Sequence, residues 1–298
     1  MRLFAIGVLL LASSSSAAAQ APASRPGILL LAHGGSDTWN NNVLAIARDI
    51  EPTQPVEVAF GMATRANIQA AADRLAAKGA TEIVAVPLFI SSHSSVIRST
   101  EYLLGLRPDA PADLARFAKM SHGAAGDHAA HGGAPAEDGT RPIVARLPVR
   151  MTPALDNHAL LGAIVADRAR SISTAASKES VILVAHGPVP ESDNALWLAD
   201  MRALSAHVHG YAFTGVLSLR DDAPAPVRDA ATAELRALVT RERANGHDVL
   251  IVPVLLSYGG IERGLKTRLQ GLDYRLPEQG IAPDARLVEW VRAVSAVR

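Results

Sequence analysis

A short stretch that ends in Ala-His-Gly occurs twice in the chain. In residues 28–35 an aliphatic run leads to His33 and two glycines, and in residues 181–188 a similar run leads to His186. Aliphatic runs of this length are typical of strands that are buried on both faces of a sheet. Each histidine is then expected at the carboxyl end of a strand, where open parallel α/β sheets bind ligands. An imidazole in such a place can transfer protons or bind a divalent metal ion.

A third histidine follows another apolar run in the first half. Residues 82–90 predict a strand, and a serine-rich cluster with His93 at its centre comes directly after it. If the strands before His33 and His93 are neighbours, as the right-handed crossover rule favours, both imidazoles reach one crevice. We therefore expect His33 and His93 to be catalytic, and His33, His93 and His186 to be metal ligands. The alternative for each is an ordinary packed or solvated histidine, and Glu262 is the only carboxylate expected beside His186.

Strands alternate with helices in both halves, which predicts two parallel α/β domains. The first half includes an expected fourth strand at 142–149 and a long helix at 154–169. Residues 86–91 align with residues 252–257 at an offset of 166 (253 − 87), whereas the two Ala-His-Gly histidines are offset by 153 (186 − 33). Loops absorb such length differences at little cost. The fold class is thus α/β with two tandem domains, at 26–170 and 178–298, each a parallel sheet flanked by helices and related by internal duplication.

The composition is that of a globular protein that does not bind nucleic acid. Of the 298 residues, 49% are hydrophobic, and Lys+Arg and Asp+Glu are balanced at 29 each, so no basic surplus is available for phosphates. The chain has no cysteine, so a soft metal site would have to use histidine or carboxylate.

The first residues have the pattern of a secretory signal peptide. Met1-Arg2 is positively charged, residues 3–12 are apolar, and Ala19-Gln20-Ala21 has small residues where cleavage occurs. We expect residues 1–21 to be removed and the protein to be periplasmic or secreted, without stable membrane insertion after cleavage. The alternative, an uncleaved anchor, would need an apolar run of ~20 residues.

Residues 121–140 are rich in Gly, Ala and His and lack large apolar side chains, so we expect a flexible surface insertion. The segment contains His122, His128 and His131. It is either a solvated loop or a metal-collecting arm that uses the His128-x-x-His131 spacing with Asp127.

The strand-Ala-His-Gly pattern, with Asn41 and Asn194 each eight residues after the histidine, and the later Val-Pro-Leu-Phe-Ile-Ser run resemble the class II tetrapyrrole chelatases. The resemblance is to the sirohydrochlorin cobaltochelatase type in a tandem two-domain form. Residues 89–93 also resemble the Phe-Val-Ser-Asp-His stretch of protoporphyrin ferrochelatases. In the resemblance to the cobaltochelatase type, the family's usual histidine position after the third strand falls on Ser95, two residues beyond His93.

The resemblance implies insertion of Co²⁺, or Ni²⁺ or Fe²⁺, into a sirohydrochlorin-like tetrapyrrole in cobalamin or siroheme biosynthesis, without an organic cofactor. One of His33 and His93 would accept the displaced N–H protons, and the other would pass on the metal. Arg65, Arg98 and Arg150 follow strand ends and are candidates to bind the macrocycle's carboxylates, with solvated surface charge as the alternative.

The two halves would act as a pseudo-dimer within one chain, which is compatible with a monomer. A second hypothesis is an exported metal- or tetrapyrrole-binding protein that kept the fold without turnover. A third is an unrelated two-lobed periplasmic binding protein, which the repeated Ala-His-Gly stretch disfavours.

Overall fold

The computed structural model describes residues 24–119 and 139–297. Strands and helices alternate along the chain as the sequence predicts. The elements of the first half are β1 (Pro26–Ala32), α1 (Asp37–Ile50), β2 (Val56–Phe60), α2 (Arg65–Ala77), β3 (Glu82–Leu88), α3 (Ser95–Leu103), α4 (Leu114–Lys119), β4 (Val149–Met151) and α5 (Ala159–Ile172). The elements of the second half are β5 (Glu179–Ala185), α6 (Glu191–Ser205), β6 (Phe213–Ser218), α7 (Ala225–Ala244), β7 (Asp248–Pro253), α8 (Gly260–Arg268) and α9 (Arg286–Ala296).

The strands form two parallel sheets, in the orders β2-β1-β3-β4 and β6-β5-β7. We call the first sheet with α1 to α4 the first lobe, and the second sheet with α6 to α8 the second lobe. β1 and β3 are neighbours, with Ala32 opposite Leu88. This confirms the expected strand order, and the segments that carry His33 and His93 leave the sheet side by side. The predicted α/β class with two parallel sheets is confirmed.

Two helices cross from one lobe to the other. α5 contacts β7 and α6, whereas α9, at the end of the chain, contacts β3 and α1. Arg150 on β4 donates to the Ser295 carbonyl of α9 at 2.6 Å, and Arg292 of α9 donates to the Asp49 carbonyl at 2.7 Å. One hydrophobic core includes residues of both sheets, such as Leu30 and Leu183. The lobes therefore share a core.

The predicted fourth strand at 142–149 is wrong, because β4 spans only Val149–Met151. The start of this segment bonds to helices: the Ile143 N–H donates to the Leu103 carbonyl, and the Val144 N–H donates to the Gln69 side chain. Its bonding to β3 comes at Pro148, whose carbonyl accepts the Ile83 N–H at 2.8 Å. Two prolines in this segment, at 142 and 148, lack the N–H that a ladder needs.

The helix expected from residue 154 begins five residues later, because Asp156 has a left-handed backbone with φ of 44°. α4 was not predicted.

Among the described residues, no helix is long and apolar enough to cross a membrane. The expected signal peptide at residues 1–21 and the insertion histidines His122, His128 and His131 lie outside the described residues.

Candidate functional site

His33 lies one residue beyond β1 and its side chain is exposed. The turn that carries it is fixed by Trp39, whose indole N–H donates to the His33 carbonyl and whose ring is 5% exposed. Ser36 caps α1 by accepting the Trp39 N–H at 3.3 Å. A Cβ at Gly35 would lie 2.9 Å from the Trp39 ring, so only glycine allows this packing. The sequence thus presents His33 at the carboxyl edge of the sheet on a fixed turn.

The loop that carries His93 is held by Asp156. The Ser92 N–H donates to Asp156 Oδ1 at 2.6 Å and the Ser92 hydroxyl donates to Oδ2 at 2.7 Å. The same hydroxyl accepts the Ala154 N–H at 2.9 Å. Asp is one of the few residues other than Gly that adopts the left-handed conformation readily, which Asp156 needs here. The backbone next to His93 is therefore fixed before any ligand binds.

The His93 side chain contacts the second lobe. Its Nε2 lies 3.4 Å from Oδ2 of Asp200 on α6, and the Asp200 side chain is 16% exposed. Burial raises the pKa of Asp200, and the nearby charge of Asp156 raises it further, while His93 opposes both. The site of the first lobe therefore includes a carboxylate from 107 residues further along the chain (200 − 93).

His186 also has an aspartate neighbour, although not the carboxylate that the sequence suggested. Its Nδ1 donates to the Gly187 carbonyl at 2.9 Å, and its Nε2 lies 3.6 Å from Asp222 Oδ2. The expectation for Glu262 is wrong, because Glu262 Oε2 accepts the Gly259 N–H at 2.6 Å and caps α8. Asp222 comes soon after β6, the strand beside β5, so strand order would have found it.

The loop after His186 is held by a buried arginine. Arg220 is 7% exposed and donates to the carbonyls of Pro188 and Val189 and to Glu191 Oε2, each at 2.7 Å. Both lobes therefore fix the loop at the end of their central strand, by Trp39 in the first and by Arg220 in the second.

The three candidate arginines all bond to the protein. Arg65 Nε donates to the carbonyl of Arg141 at 3.0 Å, and Arg150 holds α9. Arg98 donates to both carboxylate oxygens of Asp193 on α6, at 3.1 and 2.8 Å. Of the three, Arg98 on α3 is nearest to His93 along the chain. Binding of the macrocycle by these arginines stays a prediction.

Within the described part of the chain, no group of three or more His, Asp or Glu side chains could hold a metal ion. His33, His93 and His186 therefore do not form a closed metal centre. Closed sites with three or four ligands retain their ions, whereas an ion that is a substrate has to be released again. The arrangement instead provides an exposed imidazole and two imidazole–carboxylate pairs, which can accept protons and bind an ion transiently.

A cavity of about 710 Å³ lies between α3 and β4, with Ser92 on its wall. Its charged lining residues are Glu101, Arg107, Asp109 and Arg150. Because two cations and two anions balance, the charges of this lining favour neither an anionic nor a cationic ligand.

Comparison with known proteins identifies the chelatase fold. Residues 27–172 match the sequence model of the CbiX family. Among solved structures, SirB from Bacillus subtilis, determined with Fe³⁺, superposes with a TM-score of 0.59 at 15% identity, over 91% of this chain and 96% of that chain. A CbiX described as the terminal enzyme for biosynthesis of siroheme in denitrifying bacteria gives 0.50 at 15% identity, over 91% and 99%.

DR2241 from Deinococcus radiodurans, a multi-domain protein with structural similarity to chelatases, gives a TM-score of 0.54 at 16% identity. The match covers 92% of this chain but 55% of the Deinococcus chain. At these identities the structural likeness establishes the fold. No curated protein sequence matches the chain significantly.

Proposed function

We propose that this chain, which belongs to the class II chelatase family through its match to CbiX, inserts a divalent metal ion into a tetrapyrrole. The metal we propose is Co²⁺, with Ni²⁺ and Fe²⁺ as the alternatives, and the macrocycle is of the sirohydrochlorin type. The observation that carries the proposal is the position of His33 and His93 after the neighbouring strands β1 and β3. Both residues lie within the part of the chain that matches the family.

Metal insertion makes two chemical demands on the site. The ion has to exchange its water ligands for four ring nitrogens, and two pyrrole N–H protons have to leave as the M²⁺ ion enters. His33 is exposed and fits the first demand, because a neutral imidazole binds borderline metal ions without enclosing them. His93 fits the second, because a partly buried imidazole beside a carboxylate can accept a proton from the macrocycle.

The proposal is tested by measuring how fast the purified protein inserts a metal ion into the proposed macrocycle. Sirohydrochlorin and Co²⁺ are mixed with the protein, and the absorbance change is followed against the uncatalysed rate. We expect acceleration that His33→Ala and His93→Ala abolish. His209→Ala is a matched control, because His209 is an exposed histidine in the loop before β6, at the opposite end of the strand from the crevice. No acceleration by the wild type would contradict the proposal.

A second candidate function is binding of the metal or the tetrapyrrole without turnover. It is favoured by Ser95, which occupies the family's usual histidine position. The same assay separates the two functions. A bound macrocycle whose metallation is not accelerated would support this second function.

We also propose that the protein works outside the cytoplasm, in the periplasm or as a secreted protein. The proposal rests on the charged, apolar and small-residue segments of residues 1–21. Expression of the full chain in a bacterium, followed by fractionation and mass spectrometry, tests it. A periplasmic product that begins near Pro22 is expected, and an uncleaved cytoplasmic product would contradict it.

A further inference from the structure

Helix α6 of the second lobe directs two carboxylates toward the first lobe. Asp193 bonds to Arg98, and Asp200 faces His93. Seven residues separate the two aspartates, which is about two helical turns, so both lie on one face of α6. Their partners lie five residues apart, where the loop after β3 enters α3. The two contacts therefore connect the same two segments.

The Arg98–Asp193 pair fixes the position of α6 relative to this loop. Two parallel N–H to O bonds, at 3.1 and 2.8 Å, restrain the orientation as well as the distance of the pair. The Arg98 and Asp193 side chains are 31% and 11% exposed, so solvent screens the pair less than it screens a surface pair. With α6 held at this point, Asp200 is placed two turns further along, beside His93.

Asp200 Oδ2 is buried and makes no hydrogen bond within the described residues. A buried carboxylate oxygen without a donor is costly, so a neighbouring N–H is strongly favoured. Nε2 of His93 is the ring nitrogen that faces this oxygen, at 3.4 Å. Asp156 is near but supplies no proton, because its two oxygens accept from Ser92. A small movement of either side chain would complete the His93–Asp200 hydrogen bond.

We infer that Asp200 is a positioning residue of the first-lobe site, which holds His93 with its proton on Nε2 and its lone pair on Nδ1. The inference rests on the proposed function, because it assigns Nδ1 as the nitrogen that meets the pyrrole proton or the ion. A carboxylate behind a histidine fixes the tautomer and ring orientation in many metal sites. Here the carboxylate comes from the opposite lobe, so the second lobe completes the site of the first.

The tautomer of His93 is measured directly by two-bond ¹H–¹⁵N NMR correlation of histidine-labelled protein. The chain has ten histidines, and the His93 resonances are assigned by their absence in His93→Gln. We expect the Nε2–H pattern in the wild type and a mixture of tautomers in Asp200→Ala. Asp200→Asn should retain the wild-type pattern, because its amide oxygen can still accept the Nε2 proton. Asp200→Leu removes the acceptor without leaving a cavity, and serves if the alanine variant does not fold.

In the metallation assay, Asp200→Ala or Asp200→Leu should lower kcat about 10- to 100-fold with little change in KM, and Asp200→Asn should recover most of it. Asp284→Ala is the matched control, since Asp284 is a buried ion-paired aspartate, 11% exposed, that bonds to Arg286. It should leave the His93 resonances unchanged.

An unchanged His93 tautomer in Asp200→Leu would overturn the inference, and so would an Asp284→Ala variant that shifts His93 equally. The NMR result does not depend on turnover. An inactive wild type with a fixed Nε2–H tautomer would therefore contradict the proposed function and leave the positioning role of Asp200 supported.

Discussion

Arg98 on α3 and Asp193 on α6 join the two lobes by a bidentate ion pair, with N to O distances of 3.1 and 2.8 Å. The pair lies beside the His93–Asp200 contact, so it should contribute both to stability and to the geometry of the site. Its side chains are 31% and 11% exposed, which places it between a surface pair and a buried one.

A double-mutant cycle of Arg98→Ala and Asp193→Ala should give a coupling energy of about 1–2 kcal/mol. Partly buried hydrogen bonds between charged groups contribute more to the free energy of unfolding than surface ion pairs do. The free energies of unfolding come from denaturation in urea. The pair Arg170–Asp167 on α5, with side chains 67% and 33% exposed, is the control and should couple by about 0.5 kcal/mol or less. Equal coupling energies in the two cycles would show that the ion pair between the lobes stabilises the protein no more than a surface pair does.

Asp156→Ala should destabilise the protein by about 2–3 kcal/mol and lower metallation activity. The variant loses both bonds to Ser92 and puts alanine at a φ of 44°. Asp156→Asn is the matched comparison, since asparagine tolerates this backbone and its oxygen can accept the Ser92 N–H. In chemical denaturation, we expect the free energy of unfolding of Asp156→Asn to be higher than that of Asp156→Ala by about 1 kcal/mol or more. If the two variants behaved alike, neither backbone strain nor the Ser92 bonds would explain the position.

Glu179 should contribute stability that disappears in acid. It is fully buried, and although burial alone would raise its pKa, hydrogen bonds from Ser173, from the Thr174 and Ala175 N–H groups and from Arg275 lower the pKa to about 2. Since the folded pKa lies below the ordinary 4.5, the contribution is present above pH 4.5 and is lost as the pH falls toward 2.

The difference between these pKa values corresponds to about 3 kcal/mol at neutral pH. Glu179→Gln should therefore lower the free energy of unfolding at pH 7 by up to that amount, and by much less at pH 3. Urea denaturation of wild type and variant at both pH values measures the difference. A deficit that stays constant between pH 7 and pH 3 would assign the effect of Glu179 to packing instead of charge.

Gly162→Ala should destabilise the packing of α5 against the second lobe. Gly162 lies on α5, and a Cβ there would meet the His207 ring at 2.3 Å. Overpacking of this kind typically costs about 1–3 kcal/mol. Gly264→Ala on α8 is the control, because a Cβ there meets nothing within 4 Å and alanine should stabilise the helix by about 0.5–1 kcal/mol. Opposite signs of the two changes in melting temperature are expected, and equal signs would contradict the tight contact between α5 and His207.

The sequence predicted the features of the fold that depend on the local pattern of apolar and polar residues. Aliphatic runs that end in Ala-His-Gly identified β1 and β5, and the crossover rule placed β3 beside β1. Asp200 was missed because its neighbour His93 lies in the other half, and periodicity gives no information on contacts between halves. The crossing of α9 to the first lobe was missed for the same reason, since its apolar face is compatible with either sheet.

The measurement that tests the central claim most directly is metallation of sirohydrochlorin by Co²⁺ with wild type, His33→Ala and the control His209→Ala. We predict that wild type and His209→Ala accelerate the reaction over the uncatalysed rate and that His33→Ala does not. A wild-type protein that gives no acceleration, or a His33→Ala variant as active as the wild type, would contradict the account.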